Sequence, residues 1–302
     1  MTMGRPLTNV GSNTAAFGPA EWGLTLTLGA IWGSAFLWIA IAVDHLSPGV
    51  VAFGRVVLGA AAMALFPRAR RKIDRDDWGR LVAVALIGNA APAFLFAVAE
   101  TRLDSAVAGM LTSGSPLFSL LVASLMLRSR PGINQTVGIV IGFGGIVMMT
   151  VPSLQGADAA PLGVALVLVA VLCYGVNGNL IVPLQQRYGG PALAMWALIL
   201  SSAALLPLGV AGIATTGFAW SSVVALVVLG VVGTGFARSL SATLAGRAGA
   251  PRMSTTTYLI PIVALGLGAL FRDDVIHPIA IGGVAVVLVG AWIATRAIRI
   301  RS

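Results

Sequence analysis

Ten apolar stretches of about twenty residues fill this chain, and the last five repeat the order of the first five. A stretch of that length crosses a bilayer as a helix. The spans read from the sequence are 22–42, 48–66, 79–99, 104–127, 133–151, 161–183, 191–213, 221–243, 253–271 and 277–296. Of the 302 residues, 58% are hydrophobic and only 10% charged, and the mean hydropathy is +0.95. A soluble domain carries about 25% charged residues, so the solvent for this chain is lipid. A membrane β-barrel would alternate apolar and polar residues over strands of about ten, and these runs do not alternate. The expected fold class is all-α integral membrane, with ten transmembrane helices.

The repeat has a register. SGSPLFSLLVASLML around Pro116 aligns with YLIPIVALGLGALF around Pro261 at an offset of 145, which also pairs Gly88 with Gly233, Arg102 with Arg247, Gly138 with Gly283 and Gly145 with Gly290. Pro48 pairs with Pro191 at 143. Five spans per half make equivalent helices run in opposite directions, so the halves are inverted repeats about an axis in the membrane plane. Such repeats place a solute site between them near mid-membrane and expose it alternately to each side. The expected organisation is a flexible cytoplasmic N-terminus (1–20), a first five-helix repeat (21–151), a polar linker (152–160), a second repeat (161–297) and a cytoplasmic tail (298–302). Residues 1–20 lack the basic region, short apolar core and cleavage site of a signal peptide, so the first span is expected to be retained.

The net charge of +9 is placed by topology. With both termini inside, fifteen basic residues fall on the cytoplasmic side, and Arg102 and Arg272 alone fall outside. That bias is the positive-inside rule and predicts an N-in, C-in chain. The basic run Arg68 to Arg80 then meets anionic membrane lipid, and nucleic acid is not an expected partner. Cys173 is the one cysteine and can form no internal disulfide. The two histidines, His45 and His277, lie near helix ends, so neither a metal site nor another cofactor is expected.

The polar residues within the spans are few. Pro116 and Pro261 each remove a backbone hydrogen bond and free the carbonyl four residues earlier, those of Thr112 and Thr257. A paired kink or hinge is expected there, with the carbonyls open to the cavity or re-satisfied by neighbours. Pro92 is expected to kink the third span and has no partner in the eighth, where Gly233 and Gly235 offer bending freedom instead. Arg55 and Arg238 lie within the second and eighth spans, where arginine is costly and faces protein or water. Asn89, Asn177 and Asn179 are intramembrane amides. Trp32, Trp38, Tyr174 and Tyr258 are amphipathic aromatics able to wall a cavity, whereas Trp22, Trp78 and Trp220 stand at helix starts as interfacial anchors. Carboxylates lie at or beyond helix ends, Glu100 among them, and no convergent acid, base, nucleophile or metal set marks an enzyme.

These residues carry a resemblance. IWGSAFLWIA at 31–40, Arg55 in PGVVAFGRVVLGA, TSGSPLFSLLVASLML, and the glycine-rich GIVIGFGGIVMM (138–149) and GGVAVVLVGAWI (282–293) together resemble the EamA-type branch of the drug/metabolite transporter superfamily over roughly residues 20–300. The likeness implies a ten-helix exporter of amino acids or other small metabolites in the bacterial cytoplasmic membrane. Trp32, Arg55 and Pro116 match positions typical of its motifs. The sequence departs where the family usually has Gly-Glu after the fourth and ninth helices: LRSR stands at 127–130 and FRDD at 271–274. Small multidrug-resistance relatives carry a mid-helix glutamate in their first span, whereas Glu21 here lies at the helix start.

The expected function is export of an amino acid or similar metabolite by alternating access, by a monomer. Trp32, Asn89, Tyr174, Asn177, Arg238 and Tyr258 are the candidate solute contacts; Arg55, Pro92, Pro116, Pro261, Thr112 and Thr257 are candidate gating or structural residues. The alternatives are an exporter of drugs or hydrophobic cations, which would want a buried carboxylate beside its aromatics, and, more distantly, a membrane enzyme.

Overall fold

The computed structural model describes residues 18–126, 132–154, 160–248 and 254–296. The described residues are helical in ten spans: α1 (Pro19–Val43), α2 (Pro48–Ala64), α3 (Trp78–Ala85, Leu86–Ala90 and Ala91–Ala99), α4 (Ser105–Leu111, Thr112–Gly114 and Ser115–Met126), α5 (Ile133–Leu154), α6 (Ala160–Tyr188), α7 (Gly190–Ile213), α8 (Trp220–Val228, Leu229–Phe236 and Ala237–Ala248), α9 (Ser254–Tyr258 and Ile260–Phe271) and α10 (Pro278–Arg296). Seven are long and apolar enough to cross a membrane; α2, α9 and α10 are apolar and shorter. Leu125, Val140, Val210, Ile213 and Leu270 are exposed on the outer surface, as lipid-facing positions of a membrane helix are. Most of the 1–20 segment, the middle of the 152–160 linker and the 298–302 tail lie outside the described residues, as do the side chains of Asn179 and Arg247.

The main core draws side chains from every span except α7, and in it Phe36 and Phe96 meet edge to face at 5.5 Å and Phe96 stacks on Tyr174 at 6.0 Å. The repeats are joined by their equivalent helices, α2 against α7 and α5 against α10. Glycine makes the second contact possible. A Cβ on Gly145 would sit 2.6 Å from the Gly283 carbonyl, and one on Gly138 would sit 2.5 Å from the Gly290 carbonyl. Under the 145-residue offset these two contacts exchange, so the pseudo-two-fold axis passes between them. Small residues let membrane helices pack backbone to backbone, where lipid supplies no hydrophobic drive.

Four helices are interrupted, and the interruptions are paired. Leu86–Ala90 in α3 and Leu229–Phe236 in α8 are π-helical, while Thr112–Gly114 in α4 and Ser254–Tyr258 in α9 are 3-10 turns. Each pair overlaps under the same offset. The prolines follow from this. Pro116 and Pro261 are the second residues of the segments Ser115–Met126 and Ile260–Phe271, where a missing N–H costs little. A kink inside a continuous helix was the expectation; a break with a restart at proline is what the chain forms. The Thr112 carbonyl is not left open to a cavity, because the Ser115 hydroxyl donates to it at 2.6 Å.

Both ends of the bundle are bridged between repeats. At the arginine-rich end, Arg187 pairs with Asp74 (2.9 Å) and Asp77 (2.8 Å), and Trp196 Nε1 donates to the Arg71 carbonyl at 3.0 Å. The Tyr188 hydroxyl lies 2.6 Å from Asp77; burial, then this carboxylate acceptor, push the phenol up to about 12. At the opposite end Arg272 grips Asp44 with both terminal nitrogens (2.6 and 3.0 Å), and Ser105 Oγ and Ala106 N donate to Asp274 (2.8 and 2.9 Å).

Candidate functional site

The two π-helical stretches face each other's repeats and are closed by the same device. A π turn widens the helix and leaves carbonyls to be satisfied by side chains or function. In α3 the Asn89 amide donates to the Val84 carbonyl at 3.3 Å; in α8 the Thr234 hydroxyl donates to the Leu229 carbonyl at 2.9 Å. Asn89 and Thr234 are equivalent under the offset of 145, as are Val84 and Leu229. Each side chain reaches back five residues, the spacing that a π turn requires.

The two intramembrane arginines complete these stretches, each from the opposite repeat. Pro92 has no N–H, so the Gly88 carbonyl four residues earlier cannot take an α-helical bond from it. Arg238 Nη2 of α8 donates to that carbonyl at 3.0 Å. Arg55 Nε of α2 donates to Thr234 Oγ1 at 3.2 Å. Both arginines are half-buried and turned onto protein partners, within electrostatic reach of one another and of Tyr174. The Arg238 guanidinium also lies 5.9 Å from the Tyr174 ring centroid, a cation–π distance.

The pairing then breaks. Thr234 Oγ1 accepts from Arg55, whereas the equivalent acceptor in α3, Asn89 Oδ1, is buried without a hydrogen-bond partner. Asn177 of α6 lies across Gly88, so closely that any side chain at residue 88 would meet its amide, and its Oδ1 is likewise buried without a partner. Two amide oxygens lacking donors beside a guanidinium are costly to bury unless something binds there. The adjoining space, bounded by Asn89, Gln185, Arg238 and Ser241, amounts to about 30 Å³. That volume holds water and no organic solute.

The structure thus brings together Asn89, Tyr174, Asn177, Arg238, Pro92 and Arg55. Trp32 and Tyr258 pack against the main apolar core, Trp32 also against Leu28 and Leu244. Thr112, Thr257, Pro116 and Pro261 belong to the α4 and α9 interruptions. Sequence reasoning missed Gly88 as an acceptor and Thr234 as an arginine partner. The spacing of Gly88 and Pro92 carried the first signal, and the offset from Asn89 carried the second. It also placed Glu100 at a helix end without showing that the carboxyl is enclosed: the residue is 8% exposed. Nearby, outside the spans, burial and the neighbouring Asp274 carboxylate push Asp104 up.

Known proteins resemble this chain along most of its length. A probable terminal-alkyne amino-acid exporter of Streptantibioticus cattleyicolor is 26% identical over 282 residues, covering 92% of this chain and 93% of its own. A probable amino-acid metabolite efflux pump of Escherichia coli (strain K12) is 24% identical over 294 residues, covering 92% and 95%. An uncharacterised transporter of Archaeoglobus fulgidus is 27% identical over 273 residues, covering 90% and 97%. A solved crystal structure overlays 93% of this chain and 99% of its own at a TM-score of 0.62 and 16% identity, a likeness of fold alone. The model of the EamA-like transporter family matches residues 22–151 and again residues 161–296. With that family's pattern met once in each five-helix half, the chain is a multi-pass membrane protein and belongs to the EamA-like transporter family.

Proposed function

We propose that the protein exports an amino acid or similar zwitterionic metabolite across the bacterial cytoplasmic membrane, with both termini inside, by alternating access between its repeats. The observation that carries this reading is the unpaired Asn89 Oδ1 and Asn177 Oδ1 beside the Arg238 guanidinium. Amide oxygens accept from an ammonium group, and a guanidinium donates in a fork to a carboxylate. Spaced across one carbonyl, they complement the two charges of an amino acid. Tyr174 and Phe96 supply the apolar wall for its side chain. The names of the relatives support the same solute class. A space too small for the solute implies a rearrangement at each passage, and the symmetric breaks in α3, α8, α4 and α9 supply places for it, as discontinuous helices do in inverted-repeat transporters.

The test is uptake into proteoliposomes against a panel of neutral, acidic and basic amino acids and of hydrophobic cations. Transport of neutral amino acids is the expected result. Transport of cations alone would overturn the proposal in favour of a multidrug exporter, and transport of none would leave it without support.

A further inference from the structure

One buried ionisable group takes no part in the site just described. Glu100 follows the last turn of α3, its backbone N–H donating to the Phe96 carbonyl at 2.9 Å. Its side chain is enclosed, and neither carboxyl oxygen has a hydrogen-bond partner. The charged groups that face it are already engaged. Arg55 on α2 is bonded to Thr234; Arg272, at the end of α9, is held by Asp44 of α1; Asp274 accepts from Ser105 and Ala106 of α4. Asp104 lies close to the same Asp274, and Arg102 is turned back onto the Val98 carbonyl at 3.0 Å. The backbone of Ala40 on α1 faces the carboxyl outside hydrogen-bonding geometry. The adjoining part of α6, Pro161 to Leu172, contains no ionisable residue.

A carboxylate in this enclosure has no donor to stabilise its charge, while the neutral acid is far cheaper to bury. Loss of the proton would leave one nearby cation that could answer it, Arg55, whose present partner is a neutral hydroxyl. A charged acceptor holds a guanidinium more strongly than a neutral one.

The geometry points to Glu100 as the proton carrier that couples solute export to the transmembrane proton gradient, with Arg55 as its switch. With the proton on Glu100, Arg55 stays on Thr234 and ties α2 to the π-helical stretch of α8. When the carboxyl releases its proton to water on one face of the membrane, Arg55 turns to the new carboxylate and lets go of α8. Re-protonation from the other face restores the tie, so one proton crosses per cycle and no other reactant is needed. This inference rests on the transport reading above and adds its energy source.

The experiment reconstitutes wild type, Glu100→Gln and Glu100→Asp, and compares two assays with the amino acid that wild type transports. Counterflow, exchange of labelled for unlabelled solute, needs no gradient. Accumulation driven by an imposed pH gradient needs coupling. Wild type is expected to do both, Glu100→Gln to keep counterflow and lose accumulation, and Glu100→Asp to retain part of each. Wild-type counterflow without accumulation under the imposed pH gradient would overturn the coupling while leaving the transport reading intact, and so would full accumulation by Glu100→Gln. Absence of wild-type counterflow with any amino acid would instead sink the transport reading. A readout independent of solute is infrared difference spectroscopy on wild type with changing pH. A protonated-carboxyl band that titrates and is absent from Glu100→Gln is expected; a carboxylate band there at every pH overturns the proposal.

Discussion

Pro92 and Arg238, on helices from different repeats, meet at the Gly88 carbonyl. The pairing explains why an arginine is tolerated inside α8: proline denies that carbonyl an α-helical donor, and the arginine donates to it from the other repeat. Replacing Arg238 by Ala strands that carbonyl and is expected to cost about 1–3 kcal/mol of stability. This exceeds the roughly 0.6 kcal/mol of an average interhelical polar contact in membranes. Replacing Pro92 by Ala gives Gly88 a backbone donor, so the double variant should be less destabilised than the two single effects added together. A coupling of about 0.5–3 kcal/mol in a double-mutant cycle on thermal unfolding in detergent is the expected result. Simple additivity would mean that the bond is incidental. Both residues stood out in the sequence as polar or helix-breaking groups without a repeat partner. That they answer each other could not be read there, because their contact is made only when the second repeat folds back on the first.

At the scale of the helix, spans and repeat register were legible because apolar length and proline and glycine spacing survive in the sequence. The α6 and α8 helices run on to Tyr188 and Ala248, beyond the expected 183 and 243, because Gln185, Gln186 and Arg187 in one and Arg247 in the other interrupt the apolar pattern. The breaks were only half legible. Proline marked α4 and α9, and Pro92 with Gly233 and Gly235 marked bending in α3 and α8, but a π turn is a shift in hydrogen-bond register with no composition of its own, so the form of those two breaks was hidden. Pro116→Ala supplies an N–H for the Thr112 carbonyl in place of the Ser115 hydroxyl and lets α4 run unbroken. Transport is expected to fall while membrane insertion, followed by expression and monodispersity, stays unchanged; an unchanged rate would show that the break is not used. In the α5–α10 pair, Gly145→Leu forces a side chain onto the Gly283 backbone. A loss of about 1–3 kcal/mol is expected from such overpacking, with Gly290→Leu, its symmetry equivalent, giving a similar loss. Two very different losses would argue against a two-fold interface.

At the scale of the molecule, symmetry supplies the scaffold and its violations mark the proposed site. The α5–α10 glycines, the paired π stretches and the back-bonds of Asn89 and Thr234 obey the two-fold. Arg55, Glu100, Pro92 and Arg238 do not, and the unfilled Asn89 oxygen is where the two halves differ most directly: its counterpart holds an arginine. The burial of Glu100 escaped the sequence because position at a helix end says nothing about how neighbouring helices pack around it. The central claim is that solute binds at the asymmetric π-helical site around Gly88, and counterflow of a neutral amino acid by wild type and Arg238→Ala tests it most directly. The half-saturation concentration should rise about tenfold or more on loss of the carboxylate fork, a difference of about 1.4 kcal/mol or more. Arg238→Lys, which keeps the charge without the fork, should lie between. Equal half-saturation in Arg238→Ala and wild type would contradict the account.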